Sequence, residues 1–188
     1  MLDTTAIRKN LKVEIDGDPW IVVDFQFVKP GKGQAFTRTR LKNMISGQVV
    51  DKTYKSGEKI GESARIDERA MMFLYAQGDA YTFMDNENYE QIEMTEDQVG
   101  EAVKFLIDNI NVEVLFYNDR PIGIELPNFV ELQIAETEPA VKGDTVSGAT
   151  KPATMSTGHV LNVPLFINTD EWLVVDTRTG EYVERVKK

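Results

Sequence analysis

Short runs rich in aromatic and β-branched residues, separated by turn residues, recur along the whole chain, and only one segment is written as a helix. That alternation predicts small all-β barrels rather than a sheet wrapped by helices. In the first third, strands are predicted over 12–15, 20–27, 35–41 and 48–54, with turns at Asp16-Gly17 and Ser46-Gly47. A second group follows over 70–75, 81–84, 89–92, 112–117 and 122–126. The one helix begins at Thr95, where Gln98 three residues on completes a capping-box signature and Glu96 and Asp97 complement the helix dipole. Its apolar face is predicted to be Val99, Val103, Leu106 and Ile107. A helix set between strands of a small barrel points to an OB-like domain. The last third reads as strands over 129–134, 160–167, 172–176 and 182–186, with a Gly/Ser/Thr-rich loop over 143–151. Pro164 marks an edge or a bulge in its strand. The expected division is therefore three domains, 1–64, 65–126 and 127–188.

Between the strands at 20–27 and 35–41 lies Lys29-Pro30-Gly31-Lys32-Gly33-Gln34. Pro30 suits the second position of a tight turn, and Gly31 is expected to take the positive φ that a type II turn needs next. Lys32 is then displayed at a hairpin tip. With glycine on either side, a partner or a modifying enzyme can approach its ammonium group closely.

The chain has no cysteine and a single histidine, His159, which removes most routes to a transition-metal site, a thiol nucleophile or a serine-histidine relay. No catalytic residue, metal or cofactor is expected, and His159 reads as structural. No apolar run approaches the length of a membrane span, and the first residues lack a secretion signal, so a cytoplasmic protein without a membrane partner is expected. The net charge of −10 is uneven: residues 1–64 carry +3, residues 65–126 carry −10 and residues 127–188 carry −3. Residues 28–59 alone hold eight basic and two acidic side chains. A protein so divided meets phosphate with one domain and is repelled by bulk RNA elsewhere, which favours an oriented contact.

Several separated motifs, in order, resemble the bacterial translation elongation factor P family. They are the run 29–36, Asn128-Phe129-Val130-Glu131-Leu132, Gly143-Asp144-Thr145 followed by Lys151-Pro152-Ala153-Thr154, the run 158–167 with Val163-Pro164-Leu165-Phe166, and the ending 175–183. The resemblance covers essentially the whole chain. One position departs from it: Asp170 stands where the family pattern usually closes with glycine. Because Asp tolerates left-handed backbone, a small adjustment of the turn is expected.

What the resemblance implies is an SH3-like, KOW-type barrel followed by two OB barrels in an L shape. It further implies a monomer that binds the ribosome beside the peptidyl-tRNA, between the peptidyl and exit sites, and relieves stalling at consecutive prolines. Lys32 would point at the acceptor end of that tRNA. In many bacteria the matching lysine is extended by a modification such as β-lysylation; other branches use another group or leave it bare. Arg38, Arg40 and Lys42 become candidates for phosphate contact near the tip. In the third domain Gly143, Asp144 and Thr145, with Tyr182 and Arg185 near the C-terminus, become candidates for RNA contact at the small subunit and the anticodon arm.

Three other readings compete. An enzyme using Lys32 as a nucleophile would need a depressed lysine pKa, which an exposed tip does not provide, and Gly31-Lys32-Gly33 lacks the spacing of a Walker-type loop. An acidic module mimicking nucleic acid would place affinity in the middle domain. A paralogue with a different client would depart from the hairpin motif. The hypusine-bearing initiation factor of eukaryotes and archaea is related but lacks a third domain.

Overall fold

Among the described residues the alternation of strand and turn is realised as sixteen strands in three sheets. The structure, a computed structural model, describes residues 1–140 and 148–187. The first sheet contains β1 (Leu2–Asp3), β2 (Lys12–Ile15), β3 (Asp18–Val28), β4 (Phe36–Asn43), β5 (Val49–Lys55) and β6 (Lys59–Ser63), in the order β1-β6-β2-β3-β4-β5. The second holds β7 (Asp67–Gln77), β8 (Ala80–Asp85), β9 (Gln91–Thr95), β10 (Asn111–Tyr117) and β11 (Arg120–Glu125), in the order β11-β10-β7-β8-β9. The third holds β12 (Phe129–Thr137), β13 (Thr150–Met155), β14 (Val160–Pro164), β15 (Trp172–Asp176) and β16 (Glu181–Val186), in the order β14-β13-β12-β15-β16. Pro164 ends β14, an edge strand, where its missing N–H interrupts no ladder.

The chain forms two compact units, one of residues 1–68 with 115–123 and the other of 69–114 with 124–188. In the first unit Leu11, Val13, Val22, Leu41, Tyr54 and Ile60 close the barrel core. A second cluster of Leu115, Tyr117 and Ile122 packs against Met44, Ile45 and Ile66. In the other unit Val130, Leu132, Ile134, Met155, Val163, Ile167, Leu173 and Val175 form a core that also takes in Phe105.

The helix is shorter than its periodicity suggested, and its face differs. The Thr95–Gln98 capping box forms, but α1 spans only Glu96–Val99 and gives way at Gly100 to a 3-10 segment, Gly100–Phe105. Side chains three apart eclipse in a 3-10 helix. Val99, Ala102 and Phe105 are accordingly buried, a period of three within the segment; of the expected face Val99 and Leu106 are buried, while Val103 and Ile107 are only half-buried.

Three strands depart from the sequence reading. β1 and β6 have no counterpart in it, and β13 begins inside the stretch read as a loop, with Lys151 buried and its Nζ donating to the Glu138 carbonyl at 2.6 Å. Asp170 takes the left-handed conformation, φ 68°, its N–H donating to the Ile134 carbonyl at 3.0 Å. His159 is structural: its Nε2 lies 2.9 Å from the Gly180 carbonyl oxygen and its ring packs 5.1 Å from that of Phe105.

Two tyrosines of the first unit make opposite predictions. The Tyr54 hydroxyl is buried without a hydrogen-bond partner among the described residues. Tyr54→Phe should therefore raise stability by about 1 kcal/mol in chemical denaturation, since it removes a desolvated group that gains nothing in return. The Tyr117 hydroxyl lies 3.1 Å from Glu14 Oε2 and 3.1 Å from the Gly17 carbonyl oxygen. Burial, then the Glu14 carboxylate, hold its pKa above the ordinary tyrosine value. A raised tyrosine pKa stabilises the fold below pH of about 10 and ceases to do so as pH climbs through the raised value. Tyr117→Phe should cost about 1–2 kcal/mol at pH 7 and flatten the loss of stability at alkaline pH, read as urea midpoints at pH 7, 9 and 11.

Candidate functional site: the basic hairpin

The long strands β3 and β4 pair from Trp20↔Asn43 to Val28↔Phe36, which leaves residues 29–35 as the connecting loop. Its base is fastened to the turn after β5. Ser56 N–H donates to the Ala35 carbonyl at 2.9 Å, and Gln34 Nε2 donates to the Ser56 carbonyl at 3.3 Å. Lys29 and residues 31–34 are exposed and Pro30 is half-buried. Among the described residues Lys32 takes part in no hydrogen bond or ion pair, so its ammonium is held by nothing but solvent.

The turn is not the one expected. Residues 31–33 are a bend, Gly31 does not have positive φ, and Gly33 does, at 103°. The requirement for glycine has moved one position past the lysine: a side chain at 33 would meet nothing within 4 Å but would strain the backbone. Gly31 is required by neither space nor φ, so Gly31→Ala should be tolerated better than Gly33→Ala.

Alternation along β4 sorts its residues by face. Thr37, Thr39, Leu41 and Asn43 are buried, whereas Arg38, Arg40 and Lys42 point outward together, as their spacing of two dictates. Register adds Lys55, opposite Phe36, to the same outward face; its basic character was visible in the sequence, its face was not. The three candidates are not equivalent. The Lys42 side chain makes no hydrogen bond or ion pair among the described residues. The Arg38 guanidinium lies over the Phe36 ring, 5.5 Å from its centroid. Arg40 is committed to Asp51 across the strand pair, Nε to Oδ1 at 2.9 Å and Nη2 to Oδ2 at 3.3 Å, and this hydrogen bonding holds the Asp51 carboxyl below the usual carboxylate range. A phosphate reaching Arg40 would have to share it with a carboxylate.

In the other unit, Tyr182 and Arg185 stand three residues apart, a spacing that sends them to opposite faces of a regular strand. A β-bulge at Val183 changes this: Tyr182 pairs with Val175 and Arg185 with Leu173, so both share one face. Tyr182 packs against the core there. Arg185 is engaged by Glu171, Nη1 to Oε1 at 3.3 Å, with its guanidinium 5.4 Å from the centre of the Phe166 ring. Gly143, Asp144 and Thr145 lie outside the described residues.

Among the described residues no group of three or more His, Asp or Glu is placed to hold a metal ion, and no helix is long and apolar enough to cross a membrane. The hairpin has no arrangement for bond chemistry. It offers an unencumbered cation at a tip, backed by a row of outward-facing basic residues.

Comparison with known proteins places the chain in one family along its length. Three family models match in succession: "Elongation factor P (EF-P) KOW-like domain" over residues 3–60, "Elongation factor P (EF-P) OB domain" over 66–124 and "Elongation factor P, C-terminal" over 130–185. The chain is 53% identical over 187 residues to a protein of Syntrophus aciditrophicus (strain SB) named Elongation factor P, with 100% of each covered. It is 51% identical over 187 residues to Elongation factor P 2 of Geobacter sulfurreducens, again with 100% of each covered. Among solved structures, "Eukaryotic translation initiation factor 5A from Methanococcus jannaschii" aligns with 67% of this chain and 90% of its own, at 24% identity and a TM-score of 0.48.

Proposed function

This chain belongs to the elongation factor P family, whose members are translation factors rather than enzymes, and from that membership we propose that it binds the ribosome beside the peptidyl-tRNA, between the peptidyl and exit sites, and speeds peptide-bond formation at consecutive prolines. The observation that carries this reading is Lys32: an exposed ammonium with no partner of its own, at the end of a paired-strand finger.

Proline is a hindered secondary amine with fixed φ, so a proline-bearing peptidyl end is poorly placed for transfer. A protein that holds the tRNA end in one geometry lowers the entropic part of the barrier without reacting. Each 1.4 kcal/mol or so gained in this way is about tenfold in rate. Lys32 supplies position and positive charge near the acceptor end. Gly33 lets the chain turn away directly after it, and Lys29, Pro30, Gly31 and Gln34 shape the tip. Arg38 and Lys42 meet phosphate more readily than Arg40, which Asp51 already occupies. Arg185, Tyr182 and the Gly143-Asp144-Thr145 segment are assigned to RNA contact in the third domain on the family resemblance. We retain the division into domains at 1–64, 65–126 and 127–188, a cytoplasmic location and a monomer acting alone.

The rival reading, an acidic nucleic-acid mimic, places affinity in residues 65–126 rather than in the hairpin. Charge reversal separates the two. Replacing Arg38 and Lys42 by Glu should reduce co-sedimentation with ribosomes about tenfold or more, and replacing Glu87, Glu90 and Glu93 by Lys should not. The opposite pattern would favour the mimic. Mass spectrometry of the native protein determines whether a modifying enzyme acts on Lys32: an adduct on the peptide containing it identifies the group, and the mass of the plain chain shows the lysine bare.

A further inference from the structure

The finger has a second face that the cationic row does not explain. β3 enters the barrel with Val22 opposite Leu41 in the core, and the next paired positions are Asp24↔Arg40, Phe25↔Thr39, Gln26↔Arg38 and Phe27↔Thr37. Val23 is therefore the extra residue of a β-bulge. Without it, alternation would put Asp24 and Gln26 on the side continuous with the core and send Phe25 and Phe27 to the opposite face. The bulge exchanges the two pairs. Both phenylalanines thus extend the core-facing side of the sheet along the finger, where they remain 41% and 58% exposed.

On this face Thr39 and Thr37 stand opposite them on β4, followed by Lys52 and Tyr54 on β5. Lys52 Nζ lies 4.9 Å from the centre of the Tyr54 ring. Two exposed aromatic rings aligned by a bulge, with lysines alongside and at the tip, match what unpaired nucleotides require. Every base has a face that stacks on an aromatic ring, and the backbone it hangs from is anionic. A duplex offers phosphates but no free base face. The excess of basic residues over 28–59 disfavours a cationic protein surface.

We infer that the Phe25–Phe27 face receives unpaired nucleotides of an RNA by stacking. This rests on the function proposed above, in which the RNA is the tRNA whose acceptor end Lys32 approaches, and the unpaired nucleotides are those at its 3′ terminus.

The test uses purified ribosomes loaded with either intact tRNA or the same tRNA trimmed of its last three nucleotides. The full-length protein is compared with Phe27→Leu and with the Phe25→Leu/Phe27→Leu double variant. Leucine keeps the face apolar and removes the ring, and both sites are exposed enough for the fold to tolerate it. Affinity of the double variant for ribosomes carrying intact tRNA should fall roughly 10- to 100-fold, and its affinity for the trimmed complex should stay within about threefold of wild type. Equal losses on the two complexes, or none on either, would overturn the inference. So would a photoreactive benzoylphenylalanine at position 27 that cross-links to protein and not to RNA, which would assign the face to a protein partner. The proposed function fails separately: its failure would be a wild-type protein that does not bind ribosomes or relieve a proline stall. Failure of the inference alone would be leucine variants indistinguishable from an active wild type.

Discussion

Lys32→Ala should abolish the relief of a triple-proline stall in a purified translation system, slowing the third proline bond by at least about tenfold relative to the wild-type protein. The side chain makes no hydrogen bond or ion pair among the described residues, so its removal costs no internal contact and the urea midpoint should be unchanged. Ribosome binding should weaken far less than the rate, because Arg38, Lys42 and Lys55 on the flanking strands are untouched. That division between affinity and rate marks a group that positions a reacting end rather than one that anchors the protein. Lys32→Arg, which keeps the charge and changes its shape and length, should recover part of the rate.

The second large effect is on the fold. Gly61 lies within β6, opposite Leu2 on β1, at a φ of 143°. A Cβ built there would sit 2.3 Å from the Glu14 carbonyl oxygen and 2.8 Å from a Val13 side-chain methyl. The first of these is backbone of the neighbouring strand and cannot rotate away. Gly61→Ala combines that collision with a backbone conformation L-residues rarely adopt, and should cost about 3 kcal/mol or more, enough to unfold a marginal barrel. The check is the urea midpoint with tryptophan fluorescence, Trp20 reporting from the first unit. Gly57→Ala provides the control: it shares positive φ but meets nothing within 4 Å, so it should cost about 1 kcal/mol.

These two residues also show what was legible beforehand. Lys32 announced itself, because a lysine between glycines after Lys29-Pro30 is displayed in almost any turn, and the detailed turn hardly mattered: the positive φ moved from Gly31 to Gly33 and the ammonium stayed exposed. Gly61 did not, since the reason for it is the approach of Glu14, forty-seven positions earlier in the chain, and only the register of β2 on β6 reveals it. Strand existence followed from local composition wherever apolar residues were dense. It failed at the two-residue β1 and at β6 and β13, where one or two apolar residues are set among Gly, Pro, Ser, Thr and charged residues and the strands are held by their neighbours.

Side-chain faces were legible only along regular strands. Arg38, Arg40 and Lys42 share a face by simple alternation, whereas the pairing of Phe25 with Phe27 on the core side, and of Tyr182 with Arg185, depends on bulges at Val23 and Val183 that no local signal marks. Arg40 and Arg185 look like free cations in the sequence and are each engaged by a carboxylate, Asp51 and Glu171, brought to them by cross-strand packing.

The rate of a single bond decides the matter most directly. On ribosomes stalled before the third of three consecutive prolines, the time course of that bond is followed with and without the purified wild-type protein, alongside a matched template encoding alanine. Acceleration of about tenfold or more on the proline template, with little change on the alanine one, is the expected result; equal rates on the proline template with and without the protein would contradict it.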